Sequence, residues 1–169
     1  MQAVVKRARG DGFVELSEVP EPELNDDSVI LRVEAAGICG SDIQILHDRF
    51  QGYMVPVIMG HEFAGTVESV GRNVSNVAPG DRVASETHAI VCGECRYCRT
   101  GLYNLCPQRR GFGYGTDGAF ARFVRVRKGI VHRLPPEVPL KEAALLEPLS
   151  VALNALTRNS RISPGESVL

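Results

Sequence analysis

Four cysteines constrain this chain more than any other feature. Cys92, Cys95, Cys98 and Cys106 follow one another as C-x2-C-x2-C-x7-C within fifteen residues. Two-residue spacers let successive thiolates turn toward one ion, and the longer spacer returns a fourth ligand to close a tetrahedron. Four protein ligands leave no open coordination position, so the pattern predicts a structural zinc site. Two other uses of these residues compete. Disulfides need an oxidising compartment, and an odd total of five cysteines without an export signal argues against them. Met1 to Lys6 is too short for the apolar core of a signal peptide, so the chain is expected in the cytoplasm. An iron–sulfur cluster would share C-x2-C-x2-C and a following proline with bacterial ferredoxins, but their last spacer is three residues and this one is seven. Zinc is favoured.

With 169 residues, 44% of them apolar and 23% charged, the chain can bury the core of one domain, or of one domain plus part of another. Nineteen Lys and Arg against 20 Asp and Glu leave a net charge of -1, so no nucleic-acid partner is expected. Charges interrupt every apolar run before the ~20 residues a membrane span requires, and no membrane partner is expected either. Seventeen Gly and ten Pro, with no Trp, point to turns and short strands: a mainly β fold with short helices.

Strands are predicted over Ala3–Lys6, Phe13–Val19, Val29–Ala35, Phe63–Val70, Arg82–Ser85 and Gly118–Val126. Pro20-Glu21-Pro22, Asn25-Asp26-Asp27 and Pro79-Gly80-Asp81 mark turns between them. One helix is predicted from an N-cap at Ser41 toward His47, and another from Lys141 to Thr157 with a break at Glu147-Pro148. The stretch from Ser163 to Leu169 turns sharply and enters what reads as a buried strand, the start of a further domain.

A second constellation is less local. Cys39 closes a strand-like run, and Gly60-His61-Glu62 opens another. A thiolate, an imidazole and a carboxylate are the ligand types of an open zinc site with room for water or substrate. Spacing alone does not bring residues 39 and 61 together, and a lone cysteine at a strand end is more often a small buried hydrophobe. Neighbouring side chains on an extended strand also point to opposite faces, so His61 and Glu62 share a metal only if the chain bends, as Gly60 would permit.

These motifs resemble the zinc-dependent medium-chain alcohol dehydrogenases. Gly60-His61-Glu62-Phe63-Ala64-Gly65, with Gly71 and Val74, is similar to that family's zinc signature. The cysteine loop is similar to its structural-zinc lobe, Cys39-Gly40-Ser41-Asp42 to its first catalytic-zinc motif, and Pro79 to Val83 to a familiar turn and strand. Glu147-Pro148-Leu149-Ser150 resembles the sorbitol and threonine dehydrogenase branch.

The resemblance implies a GroES-like, partly open β-barrel cut off at the start of a Rossmann domain. Its parts would be a zinc-binding catalytic domain over 1–154, with the structural-zinc lobe at 91–107, and a connector with the first Rossmann strand over 155–169. It implies two zinc ions, a catalytic one on Cys39, His61 and Glu62 and a structural one on Cys92, Cys95, Cys98 and Cys106. It further implies that Asp42 accepts the free ring N–H of the ligand histidine, that Ser41 takes the substrate's proton, and that Glu147 either ligates the catalytic zinc in some states or holds its water. The implied reaction is oxidation of a secondary alcohol (polyol, sugar alcohol or hydroxy amino acid), with zinc favouring the alkoxide and hydride passing to NAD or NADP. The dinucleotide loop would lie beyond Leu169, so these residues alone are expected to be inactive, and the full-length enzyme is expected to be a homo-oligomer.

Two positions qualify the resemblance. Many members of the polyol and threonine branch carry a histidine three residues after the relay hydroxyl, where this chain has Gln44, and His47 reads as a surface residue. Gly111-Phe112-Gly113-Tyr114-Gly115 is glycine-rich without a following helix and reads as a flexible loop rather than a phosphate cradle. The alternatives are a non-enzymatic zinc-binding GroES-like module and an iron–sulfur electron carrier. The first has no use for Cys39, His61 and the four-cysteine lobe together, and the second would be coloured.

Overall fold

A computed structural model of the chain describes residues 1–158, 160, 162, 163 and 165–167. In chain order its elements are β1 (Gln2–Lys6), β2 (Val14–Glu18), β3 (Ser28–Gly37), α1 (Gly40–Leu46), β4 (Val57–Ile58), β5 (Glu62–Val70), β6 (Arg82–Ser85), α2 (Arg96–Arg99), β7 (Phe123–Arg127), β8 (Val131–Arg133), α3 (Leu140–Ala143) and α4 (Leu146–Thr157). The strand expected at Val168 and Leu169 lies outside the described residues. Among the described residues no helix is long and apolar enough to cross a membrane.

The strands form two antiparallel sheets, one in the order β2-β1-β4 and one in the order β7-β3-β5-β6-β8. The larger sheet curls because β3 and β5 slip register twice, between Ile30 and Leu31 and between Val33 and Ala35. Each extra residue sharpens the local twist. Inside the curl, Val29 and Leu31 of β3 pack with Phe63 and Val67 of β5, Val83 of β6, and Val124 and Val126 of β7. Phe112 closes this core edge-on against Phe63, with ring centroids 5.3 Å apart. Each such buried side chain contributes about 1.5–3 kcal/mol relative to exposure. The expected half-open barrel, mainly β with short helices, is therefore what the alternating apolar positions build.

Several boundaries differ from the sequence reading, each for a physical reason. α1 begins at Gly40, and its N-cap is Cys39 rather than Ser41. The cap is closed from inside the helix: the Cys39 N–H donates to Asp42 Oδ2 at 2.9 Å. The last helical stretch breaks at Ala144 and Leu145, not at Glu147-Pro148. Pro148 falls in the first turn of α4, where a missing N–H costs nothing. The predicted strand from Gly118 forms only from Phe123 onward, because residues 118–120 are bonded elsewhere. Gly118, Ala119 and Phe120 donate to the carbonyls of Ile58, Gly60 and Met59 at 2.8, 3.0 and 2.8 Å, clasping the bend that precedes His61. The glycine-rich stretch at 111–115 is a loop, and Phe112 anchors it in the core.

Along α4 no side chain is buried, and Leu149, Leu153 and Leu156 are half or more exposed.

Candidate metal centres

The four cysteines converge as their spacing predicts. Cys92 Sγ lies 3.8 Å from Cys98 Sγ and 3.6 Å from Cys106 Sγ. A tetrahedron with zinc–sulfur bonds of about 2.3 Å has edges of about 3.8 Å, so the cluster already has the size of a four-thiolate zinc site. These separations are far too long for disulfides, and all five cysteines are free thiols. Backbone amides point at the sulfurs as well. Cys95 N–H donates to Cys92 Sγ at 3.3 Å, and Cys98 N–H, at the start of α2, to Cys95 Sγ at 3.5 Å. Backbone hydrogen bonds, chiefly from Cys95, lower the Cys92 thiol to about 6, while desolvation raises the buried Cys98 thiol to about 12. A set of thiols so divided becomes four thiolates only around a cation, which is what such a donor set is built to hold.

The second cluster is assembled from β3, α1 and β5. β3 runs through Gly37 and delivers Cys39 to the N-cap of α1. Gly60 sits at φ 91°, a conformation open to glycine, and turns the chain just before His61. A Cβ there would also lie 2.7 Å from Phe120 Cε1, so the bend and its ring cover are made for each other. The ligand atoms of Cys39, His61 and Glu62 then lie within 4.8 Å of one another. The structure thus brings together residues that spacing could not.

Three further observations bear on what this cluster can hold. His61 and Glu62 are each only 6% exposed, and among the described residues no Lys or Arg lies within ion-pair distance of the Glu62 carboxylate. A metal ion would supply the positive partner that the surrounding side chains do not. His61 Nδ1 and Asp42 Oδ1 are both buried without a hydrogen-bond partner, and they face each other at 3.8 Å. A small ring rotation would let Nδ1–H donate to Asp42 and leave Nε2 free as a ligand, the usual way a carboxylate sets the tautomer of a metal-binding histidine. Asp42 also ties the Cys39 backbone, so one carboxylate orients both neighbouring ligands. The donor set fits a zinc ion.

Ser41 occupies the second position of α1, with Oγ 3.3 Å from His61 Nε2. It therefore faces the cluster rather than capping the helix. Glu147, in the first turn of α4, lies outside the three-residue group. Burial pushes its carboxyl above the usual range, with His61 opposing the shift and Glu62 adding to it. His47 is turned away, its Nδ1 paired with Asp11 Oδ1 at 2.7 Å on the exposed end of α1. Gln44 is exposed. On the apolar side of the cluster, Tyr114 meets His61 edge-on at 6.4 Å and packs against Phe50 at 5.3 Å. The sequence reading assigned no role to Tyr114, Phe120 or Gly37, because a phenol within a glycine-rich loop, a plain phenyl ring and a glycine form no ligand-spacing pattern along the chain.

Comparison with known proteins shows the family of the chain. Residues 25–136 match the family described as the alcohol dehydrogenase GroES-like domain. The chain is 40% identical, over all 169 of its residues, to the D-arabitol-phosphate dehydrogenase of Enterococcus avium, covering 48% of that protein. It is equally 40% identical over its whole length to the sorbitol dehydrogenase of Halalkalibacterium halodurans, covering 49% of it. Among solved structures, a putative zinc-binding dehydrogenase from Sinorhizobium meliloti bound to NADP superimposes with a TM-score of 0.88 at 35% identity, over 98% of this chain and 47% of that one. The chain spans about half the length of the curated relatives it matches.

Proposed function

The chain belongs to the medium-chain zinc alcohol dehydrogenase family, as its GroES-like domain, and from that premise we propose that it is the catalytic part of a dehydrogenase that oxidises a secondary alcohol of the polyol, sugar-alcohol or hydroxy-amino-acid type with NAD or NADP. One observation carries the reading: Cys39, His61 and Glu62 converge with their ligand atoms within 4.8 Å, beside a serine hydroxyl.

Cys39, His61 and Glu62 would hold the catalytic zinc, and Cys92, Cys95, Cys98 and Cys106 the structural one. Bound zinc would supply Lewis acidity that lowers the pKa of the alcohol. The thiolate of Cys39 and the carboxylate of Glu62 would together cancel the charge of a divalent ion, and a neutral site ionises an alcohol less strongly than a cationic one. The proton acceptor therefore matters more. Ser41 Oγ is suited to accept the substrate's hydroxyl proton, and onward transfer would run through water or a cofactor ribose hydroxyl, because the Gln44 amide does not relay protons near neutral pH. Asp42 would fix the His61 ring, and Glu147, its carboxyl raised by burial, would stand by as an alternative ligand or partner for a water. Phe50 and Tyr114 would keep bulk water from this side of the site. The nicotinamide site would come from residues beyond the catalytic domain at 1–154 and the connector at 155–169.

The test is a panel of polyols, sugar-alcohol phosphates and hydroxy amino acids given to the zinc-loaded full-length enzyme with each cofactor, following NAD(P)H formation. Turnover abolished by Cys39→Ala, with the four-cysteine zinc retained, is expected. Undiminished turnover in that variant would sink the proposal.

A further inference from the structure

The Glu62 side chain does not point away from His61 as extended backbone would dictate. It folds over the neighbouring strand, across Gly37, its partner in the β3–β5 ladder. A Cβ built on Gly37 would fall well inside van der Waals contact with Glu62 Oε2, and would lie 3.2 Å from Glu62 Cβ and 3.4 Å from its Cδ. All three of its nearest neighbours belong to Glu62. Gly37 itself is ordinary strand, with no positive φ to require glycine, so the backbone would accept alanine. What the glycine provides is volume. The space that any other side chain would fill is taken by the carboxylate, and that is how Glu62 reaches the cluster of Cys39 and His61 two residues beyond the end of β3.

We infer that Gly37 is a positioning residue of the metal centre: its empty side-chain position is the slot through which Glu62 reaches the ion. The inference rests on the proposal that Cys39, His61 and Glu62 hold zinc. It also accounts for adjacent residues 61 and 62 serving one ion, since the Gly60 bend aims His61 and the Gly37 slot admits Glu62.

A double-mutant cycle on zinc affinity tests it in the full chain. Zinc is competed with a chromophoric chelator, Co²⁺ serves as a spectroscopic probe of the same site, and the four-cysteine site is the internal reference. Glu62→Gln is expected to weaken the Cys39 site on the order of 10–100-fold, the scale on which even an outer partner of a ligand acts. Gly37→Ala is expected to lose a similar factor while the reference site is unmoved, and the double variant to lose no more than either alone. A Gly37→Ala chain with parental affinity, or one whose loss persists undiminished in the Glu62→Gln background, overturns the inference and leaves the ligand assignment standing. A Glu62→Gln chain with parental affinity overturns the ligand assignment, and the inference with it. Should Gly37→Ala not fold, Gly37→Ala combined with Glu62→Ala decides, because the atoms that crowd the new Cβ are then largely gone. That pair is expected to fold and bind the four-cysteine zinc as Glu62→Ala does, and a pair that stays unfolded overturns the inference.

Discussion

Lys6, wholly buried at the end of β1, ties the connection between β1 and β2 to the end of α1 with a single side chain. Its ammonium has three N–H donors, and three carbonyls receive them: Gly10 at 2.6 Å, Gly12, and Leu46 at 3.1 Å. The first two shape the connection between β1 and β2. The third is the last residue of α1, the helix that presents Ser41 and Asp42 at its other end, and a cation suits the negative end of a helix dipole. Lys6→Met keeps much of the stem and volume but deletes every donor. Charge-assisted hydrogen bonds contribute about 1.5–3 kcal/mol each, which would sum to about 5–9 kcal/mol for three. The Leu46 carbonyl keeps the Gly12 N–H at 2.8 Å, and the Gly10 and Gly12 carbonyls lie on partly exposed residues that water can reach. The expected loss is therefore about 2–4 kcal/mol. For a domain of this size that lowers the melting temperature by roughly 4–16 °C. Urea unfolding read by circular dichroism should show the midpoint falling with the slope unchanged. Lys128→Met, which removes an exposed pair with Asp27, is the control and should cost about 1 kcal/mol or less. If Lys6→Met unfolds within about 0.5 kcal/mol of the parent, the ammonium is not holding these carbonyls and the reasoning fails.

Three further outcomes are expected. Stripping zinc from the proposed four-cysteine site with a chelator should loosen the lobe from Val91 to Pro107, because binding free energy at such a site is partly folding free energy; limited proteolysis should cut there first, and protection of the lobe with cutting elsewhere would show that packing holds it. His88, its Nε2 2.9 Å from Glu86 Oε2, and then the hydrogen bond with His132 hold the Glu86 carboxyl down at about 2 from an ordinary 4.5, with burial opposing. Its folded value is depressed, so the stabilisation is full above about 4.5 and is lost as the pH falls toward 2. The stability advantage of the parent over Glu86→Gln should vanish across that window, and an advantage that persists at its lower end would contradict the assignment. In the full-length enzyme, Ser41→Ala should slow hydride transfer by ~10²–10⁴ in pre-steady-state measurements, and Gln44→Ala far less; parental hydride transfer in Ser41→Ala with zinc bound would remove Ser41 from the proton path.

The sequence determined by itself whatever is encoded within one or two turns of chain. The cysteine lobe was legible because its four ligands lie within fifteen residues, where spacers alone decide which thiolates can meet. β3 and β5 were legible because the apolar positions that fill the curl repeat along each strand. β4 and β8 were not, since strands of two and three residues have no period of their own and exist through their pairing with β1 and β6. The start of α1 misled for a related reason: Ser41 looks like a cap, but the cap is closed by Asp42 reaching back to Cys39, which frees Ser41 to face His61. Candidates for the second metal cluster were visible as residue types, but their meeting was not. It depends on the pairing of Gly37 with Glu62, on the bend at Gly60 and on residues 118–120 bonded across it. Those are contacts between segments about 25 to 60 residues apart. Local spacing carries no information about them, because only closure of the sheet brings such segments within bonding distance.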